Sequence, residues 1–192
     1  MDSPFGWPRA FTAAVSAWAG GGDWPVAEPA ALRFRATDVA VHERVGVWPL
    51  SVSTDRIGVC AFRCARLLAR WGVEDRTGRG GVAEVYPAAA LRCWGLAARG
   101  YKGAEPVASE ARAALVARLR ERCPWLALDA EHAAACVATH DVLDALVCAL
   151  VARAVDAGAT APPPPELEQA AREEGWIHLP TSELGARLTM LA

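Results

Sequence analysis

One helix-forming stretch is apolar on almost every side and yet carries two carboxylates. Residues 140–157 have the sequence HDVLDALVCALVARAVDA, and Thr139 is placed to cap the helix. Asp141 and Asp144 are three residues apart and so share a face of this helix. An ionised carboxylate among apolar neighbours is costly, so Asp144 needs a cation or a hydrogen-bond donor. A divalent cation such as magnesium is one such partner. The alternative is that Asp141 caps the helix and Asp144 meets an arginine.

A second acid interrupts a short apolar segment. Residues 82–86, VAEVY, predict a strand in which Glu84 shares a face with Val82 and Tyr86. Such an acid is either a buried ion-pair partner or a site residue at the carboxyl end of the strand. A late edge strand is predicted at residues 175–180.

Periodicity and capping residues predict mostly helix elsewhere. Thr37 offers an N-cap for one short helix. The other predicted helices lie at residues 9–18, 58–71, 87–96, 106–122, 129–138, 140–157 and 166–174.

Composition favours one compact domain over residues 1–192, with a proline-rich spacer at 161–165. The chain is 53% apolar with a net charge of −2, so nothing in its overall charge demands a polyanionic partner. The six cysteines form no CxxC pair, which favours buried reduced thiols over a zinc site. Without a secretory segment or an apolar run of about 18 residues, we expect a cytoplasmic protein with no membrane partner.

Basic residues are almost all arginine, and Lys102 is the only lysine among the 20. It follows Tyr101 in a predicted loop, where a compact ammonium group is suited to contact phosphate. Residues 56–79 concentrate six arginines against two acids. This stretch either meets a phosphate backbone or forms the solvated basic face of a helix, and the second interpretation is the simpler one.

Several stretches, taken in order along nearly the whole chain, carry a resemblance to one family. They are residues 2–8 (DSPFGWP), 34–38 (FRATD), 49–53 (PLSVS), 84–87 (EVYP), 101–102 (YK), 140–149 (HDVLDALVCA) and 175–180 (GWIHLP). The chain resembles domain-of-unknown-function family 429, predicted nucleases with a ribonuclease-H-like fold. The resemblance implies an α/β, three-layer, helix-rich architecture that lacks its N-terminal strands.

The resemblance also implies a set of site residues. In ribonuclease-H-like folds, acids on two strands and on the last core helix hold two metal ions that activate water for attack on a phosphodiester. On that basis Asp2, Asp141 and Asp144 are the expected ligands of Mg²⁺ or Mn²⁺, and Glu84 and Lys102 are further candidate catalytic residues. We expect a metal-dependent nuclease, or its degenerate descendant. The alternative is a non-catalytic assembly or regulatory module of the same fold.

The family's first strand, which bears an Asp, normally precedes the segment that begins at Asp2. Either the true start lies upstream of Met1, or the short chain is real and has lost one metal ligand. A central sheet without its first strands would expose a long unpaired edge. We therefore expect a homo-oligomer, or a partner chain that supplies strands, and nucleic acid as the partner that nuclease activity implies.

Overall fold

The computed structural model describes residues 1–24, 27–181 and 183–184. Within them lie nine α-helices and one 3-10 helix. In chain order these are α1 Arg9–Ala19, α2 Pro29–Arg33, α3 Ala36–Val45, α4 Gly58–Arg70, α5 Pro87–Cys93, α6 Pro106–Arg122, α7 Ala130–Ala138, α8 His140–Asp156, the 3-10 helix Pro165–Leu167 and α9 Glu168–Glu174.

The chain divides into two compact units. Unit 1 comprises Met1–Asp2, Val85–Ala161 and the described residues from His178 onward. Unit 2 comprises Ser3–Glu84 and Pro162–Ile177. The expectation of a single domain with a spacer at 161–165 stays a prediction, and residues 185–192 of that expected domain lie outside the described residues.

Local sequence explains where several helices begin. Proline occupies the first turn of α2, α5 and α6, where its missing N–H costs nothing. Asp129 caps α7 by accepting the N–H of His132 at 2.8 Å. Thr139 caps α8 by accepting the N–H of Val142 at 3.2 Å, as the sequence predicted. Thr37 is not a cap, because α3 already begins at Ala36.

Unit 1 is organised around α8, which contacts α5, α6 and α7. One stripe of α8 is buried at helical spacing and forms the centre of the apolar core of this unit. Its apolar members are Leu143, Val147, Leu150, Val151 and Ala154. Asp144 is also buried on this helix. A buried carboxylate requires polar partners, and these are described with the candidate site.

Unit 2 contains α1 to α4 and α9, with α9 in contact with α1 and α3. Helix α4 buries Ala61, Cys64 and Leu68, which lie on one side at helical spacing. The Thr37 hydroxyl, near the start of α3, accepts the N–H of Ile177 at 2.7 Å. A buried hydroxyl of this unit is therefore paired with backbone from its C-terminal segment.

The expected α/β three-layer architecture is wrong for the described residues, which contain helices but no strand or sheet. Residues 82–86 and 175–180 provide only isolated bridges, Glu84 with Ile177 and, separately, Thr160 with Pro180. Extended segments without several consecutive neighbours form no ladder, and Pro180 has no N–H to donate to one. Without a sheet in this part of the chain, the exposed edge expected to recruit a partner strand is absent too.

The cysteines are all free thiols. Cys64, Cys123 and Cys136 are buried, and burial raises the pKa of Cys148 to about 11. Cys60 is exposed on α4, so the prediction of buried thiols was wrong for that residue.

In the part of the chain that the structure covers, no single helix has the length and apolar character needed to cross a membrane. Helices α7 and α8 reach that length and composition only as a pair, bent by 119° at their junction.

Candidate functional site

Asp144 is the centre of the polar site in unit 1. Its side chain is 5% exposed, and each carboxylate oxygen has one partner. The Tyr101 hydroxyl donates to Oδ1 at 2.8 Å, and the Lys102 ammonium lies 2.9 Å from Oδ2. A charged carboxylate is therefore tolerated in an apolar helix because a buried donor and a cation satisfy it.

Tyr101 and Lys102 approach Asp144 from the segment between α5 and α6. The two side chains differ in exposure, since Tyr101 is 1% exposed and the Lys102 side chain 48%. Arg112, buried on α6, fixes this segment by donating from Nη1 to the Tyr101 carbonyl at 2.8 Å and to the Gly103 carbonyl at 3.0 Å. The phenol is thus held inside the unit while the ammonium faces solvent.

Asp2 contributes a second carboxylate to this part of unit 1. The backbone beside Asp2 is fixed because the Met1 carbonyl accepts the N–H of Val85 at 2.9 Å. Although the residue is exposed overall, burial of its carboxyl and the negative charge of Asp144 raise the pKa of Asp2 to about 6, against the opposing effect of Lys102. Burial is therefore the main cause of this raised pKa, and the negative charge of Asp144 adds to it.

Asp141 lies at the rim of the site. Its side chain is 88% exposed, and its carboxylate lies 3.5 Å from His140 Nε2, a pair that is ionic only when the imidazole is protonated. Its charge is one of the factors that raise the pKa of Asp2. The alternative that Asp141 caps α8 does not hold, because Thr139 does so.

The pKa values of Lys102, Tyr101 and Tyr86 are shifted by burial and by the nearby carboxylates. Burial alone would lower the pKa of Lys102, but Asp144 and Asp2 hold it above its usual value. Burial and the charge of Asp144 raise the pKa of Tyr101, and burial raises the pKa of Tyr86. Lys102 therefore carries a full positive charge at neutral pH, and the hydroxyls of both tyrosines stay protonated.

Glu84 is placed in unit 2, where it is buried beside Arg35. Arg35 donates to Oε1 at 2.8 Å and to Oε2 at 3.0 Å, and the N–H of Phe5 donates to Oε2 at 3.0 Å. The Arg35 guanidinium also donates two hydrogen bonds to Asp38, at 2.8 and 3.1 Å. Both oxygens of Glu84 thus face donors, which is the arrangement of the ion-pair alternative.

In this buried cluster the pKa values of Arg35 and Glu84 are both raised, for different reasons. Burial would lower the pKa of Arg35, but Glu84 and Asp38 raise it. Burial also raises the pKa of Glu84, against the effect of Arg35. Three N–H groups donate to the oxygens of Glu84 and two of them belong to a guanidinium, an arrangement that favours the ionised carboxylate.

The carboxylates of unit 1 fit a hard divalent cation by donor type, since Mg²⁺ prefers oxygen ligands. Their arrangement is more open than an all-protein cage. In residues 1–24, 27–181 and 183–184, no group of three or more His, Cys, Asp or Glu side chains is placed to hold one ion. Asp2 and Asp144 are the two nearest candidates, since the charge of Asp144 raises the pKa of Asp2.

Three residues of these polar clusters were missed by sequence reasoning. Tyr101 was noted only beside Lys102, and neither Arg112 nor Arg35 was given a role. Arg35 and Asp38 are three apart at the start of a helix, a spacing that favours a local ion pair. The partners of Tyr101 and Arg112 are distant in sequence and left no local signal.

These features define a helical protein with a buried aspartate, a tyrosine and a half-exposed lysine at one polar site. The chain belongs to the family described as "Protein of unknown function (DUF429)", whose model matches residues 1–169. This confirms the family resemblance. A search of curated proteins found no match, and a search of solved structures found none either.

Proposed function

We propose that unit 1 hydrolyses phosphodiester bonds with the help of Mg²⁺ or Mn²⁺. Asp2 and Asp144 would hold the cation, with Asp141 at the rim and Lys102 in contact with the phosphate. The observation that supports this most is the geometry at Asp144, whose nearly buried carboxylate has the half-exposed Lys102 as the partner of Oδ2, while Asp2 adds a second negative charge nearby. An added divalent cation would balance that charge.

The open arrangement of carboxylates is compatible with this role. Magnesium is commonly held by one or two carboxylates, several waters and the substrate's own phosphate oxygens. Bound there, it would supply a water of lowered pKa and would neutralise charge on the phosphate. Two aspartates in one unit are therefore enough protein ligands for a site that is completed by substrate.

The chain's own residues have distinct tasks in this proposal. Tyr101 keeps Asp144 oriented from the buried side, and its hydrogen bond does not involve Oδ2. Lys102 is half-exposed and flexible, so its ammonium can leave Oδ2 and meet a phosphate oxygen. Glu84 is left out of the proposal because both of its oxygens are engaged in unit 2.

A cleavage assay on labelled single-stranded DNA and RNA tests the proposal. We expect cleavage with Mg²⁺ or Mn²⁺, none in EDTA, and a loss of at least about 100-fold in Asp144→Asn, since the group acts at the reacting centre. Asp156→Asn is the matched control, because Asp156 is an exposed acid on the same helix. Equal cleavage by the two variants would remove Asp144 from the site.

One observation favours a second candidate, a non-catalytic assembly or regulatory module. Both oxygens of Asp144 already have partners, so this carboxylate is satisfied by the chain's own residues without a metal ion. In that case Mn²⁺ would leave the melting temperature unchanged, and sedimentation would show oligomers that grow with protein concentration.

A further inference from the structure

Helix α4 of unit 2 carries an exposed face that its fold does not use. Val59, Phe62, Arg63, Arg66 and Arg70 recur at spacings of three and four residues, so they lie along one side of the helix. All are exposed, with Phe62 64% and Val59 59% accessible. The opposite side is anchored by the buried residues described above. We call these five residues the arginine face.

The arginine face has no internal counter-charge. In the described chain, Arg63, Arg66 and Arg70 form no ion pair. Helix α4 contains no acid, although the whole chain has a net charge of −2. At about 1.5 Å of rise per residue, the three guanidinium groups are spread over roughly 10 Å of helix. Positive charge is thus segregated onto one surface, where it complements a polyanion.

An aromatic pair adjoins these arginines. The rings of Trp7 and Phe62 are stacked with centroids 5.6 Å apart and planes 29° from parallel. Phe62 is largely exposed although it has this partner. A pre-ordered aromatic pair beside arginines is the combination that binds unpaired bases, whose ring faces are accessible, together with their phosphates.

We propose that the arginine face, with Trp7, binds single-stranded nucleic acid. Arg63, Arg66 and Arg70 contact phosphates, and the pair formed by Trp7 and Phe62 stacks on bases. The binding surface goes beyond the proposed function. One point alone rests on that function, namely that a single strand bound here is also the substrate that unit 1 cleaves. A membrane surface fits less well, because a helix that lies on lipid buries a continuous apolar face, and on the exposed side of α4 the apolar residues Val59 and Phe62 are interspersed with three arginines.

The test is fluorescence anisotropy of a labelled 20-nucleotide single strand, titrated with the whole chain in EDTA at several salt concentrations. EDTA removes the cation that cleavage would need, so binding is measured apart from catalysis. We expect the slope of log K against log salt for Arg63→Gln/Arg66→Gln/Arg70→Gln to be smaller by about 2, at roughly 0.7 per lost phosphate contact. Phe62→Ala is expected to weaken binding at least about fivefold with the slope unchanged.

A charge-matched control separates a specific face from net charge. Arg99→Gln/Arg118→Gln/Arg120→Gln removes three exposed arginines from unit 1, and we expect it to change affinity less than twofold. Equal weakening by the two triple variants would overturn the proposal. So would binding of phosphatidylserine vesicles without binding of the oligonucleotide, or a duplex bound as tightly as the single strand. Strand binding that persists in Asp144→Asn supports the arginine face even if the cleavage assay fails.

Discussion

The ammonium of Lys102 lies 2.9 Å from Oδ2 of Asp144, and it reaches a nearly buried carboxylate from the solvent side. The inner oxygen, Oδ1, is held by the Tyr101 hydroxyl. The outward oxygen of Asp144 is therefore met by a half-exposed ammonium rather than by a buried donor. A divalent cation would take the same position, so the lysine and the metal compete for one oxygen in the proposed site.

Replacing the lysine tests this competition. Lys102→Met leaves the buried Asp144 with one hydrogen bond, and we expect it to lower the free energy of unfolding in EDTA by about 1–3 kcal/mol. Mn²⁺ should restore part of that loss by binding the freed oxygen. Thermal unfolding with and without Mn²⁺ measures both effects. A loss that Mn²⁺ does not recover would favour the structural ion pair.

The raised pKa of Asp2 predicts a pH dependence of stability in EDTA. Its pKa rises from 3.8 to about 6 on folding, so the folded protein binds this proton more tightly than the unfolded chain. The stabilising contribution is full below pH 3.8 and is lost as the pH rises through about 6. Asp2→Asn should therefore melt at a higher temperature than wild type at pH 7.5 and show little difference at pH 4. A variant less stable than wild type at pH 7.5 would contradict this.

The buried cluster of unit 2 predicts a large cost for losing its arginine. Arg35→Leu leaves the carboxylates of Glu84 and Asp38 buried without a cation, which typically costs about 3–5 kcal/mol. Arg79→Gln removes an exposed ion pair with Glu168 and should cost less than about 1 kcal/mol. Urea denaturation compares the two variants, and a similar midpoint for both would show that the cluster contributes little.

The surroundings of Gly175 predict a steric clash for any larger residue, and Gly72 provides a control without such crowding. A Cβ at Gly175 would lie 2.5 Å from Glu84 Oε2 and 2.7 Å from Phe5 Cβ, and the φ angle of this residue is +93°. Gly72 also has a positive φ, +67°, but a Cβ there would have no neighbour within 4 Å. We expect Gly175→Ala to lower the melting temperature well beyond Gly72→Ala, which pays only for the backbone conformation. Equal shifts would mean that the residues around Gly175 move aside.

The sequence predicted the helices better than the architecture. Capping and periodicity placed α8 and its Thr139 cap, because both depend on residues a few positions apart. The segments at 82–86 and 175–180 have the composition of strands, but strand formation needs neighbours that local sequence does not specify. Glu84 and Ile177 form one bridge only, and the predicted sheet is wrong for the described residues.

The site was predictable in part for the same reason. The burial of Asp144 followed from its apolar neighbours on α8, and the need for a partner followed from its charge. Of the two expected partners, the arginine is replaced by Tyr101 and Lys102, and the metal stays a proposal. Both are more than forty positions away, a separation that no helical spacing predicts.

Binding of Mn²⁺ tests the central claim most directly, since the proposed chemistry depends on a cation at Asp2 and Asp144. The loss of the free Mn²⁺ signal in electron paramagnetic resonance at pH 7.5 measures it without any substrate. We predict saturable binding by wild type and by Asp156→Asn, and at least about tenfold weaker binding by Asp144→Asn, as loss of a metal-site group typically causes. Equal binding by Asp144→Asn and Asp156→Asn would contradict a metal site at Asp144.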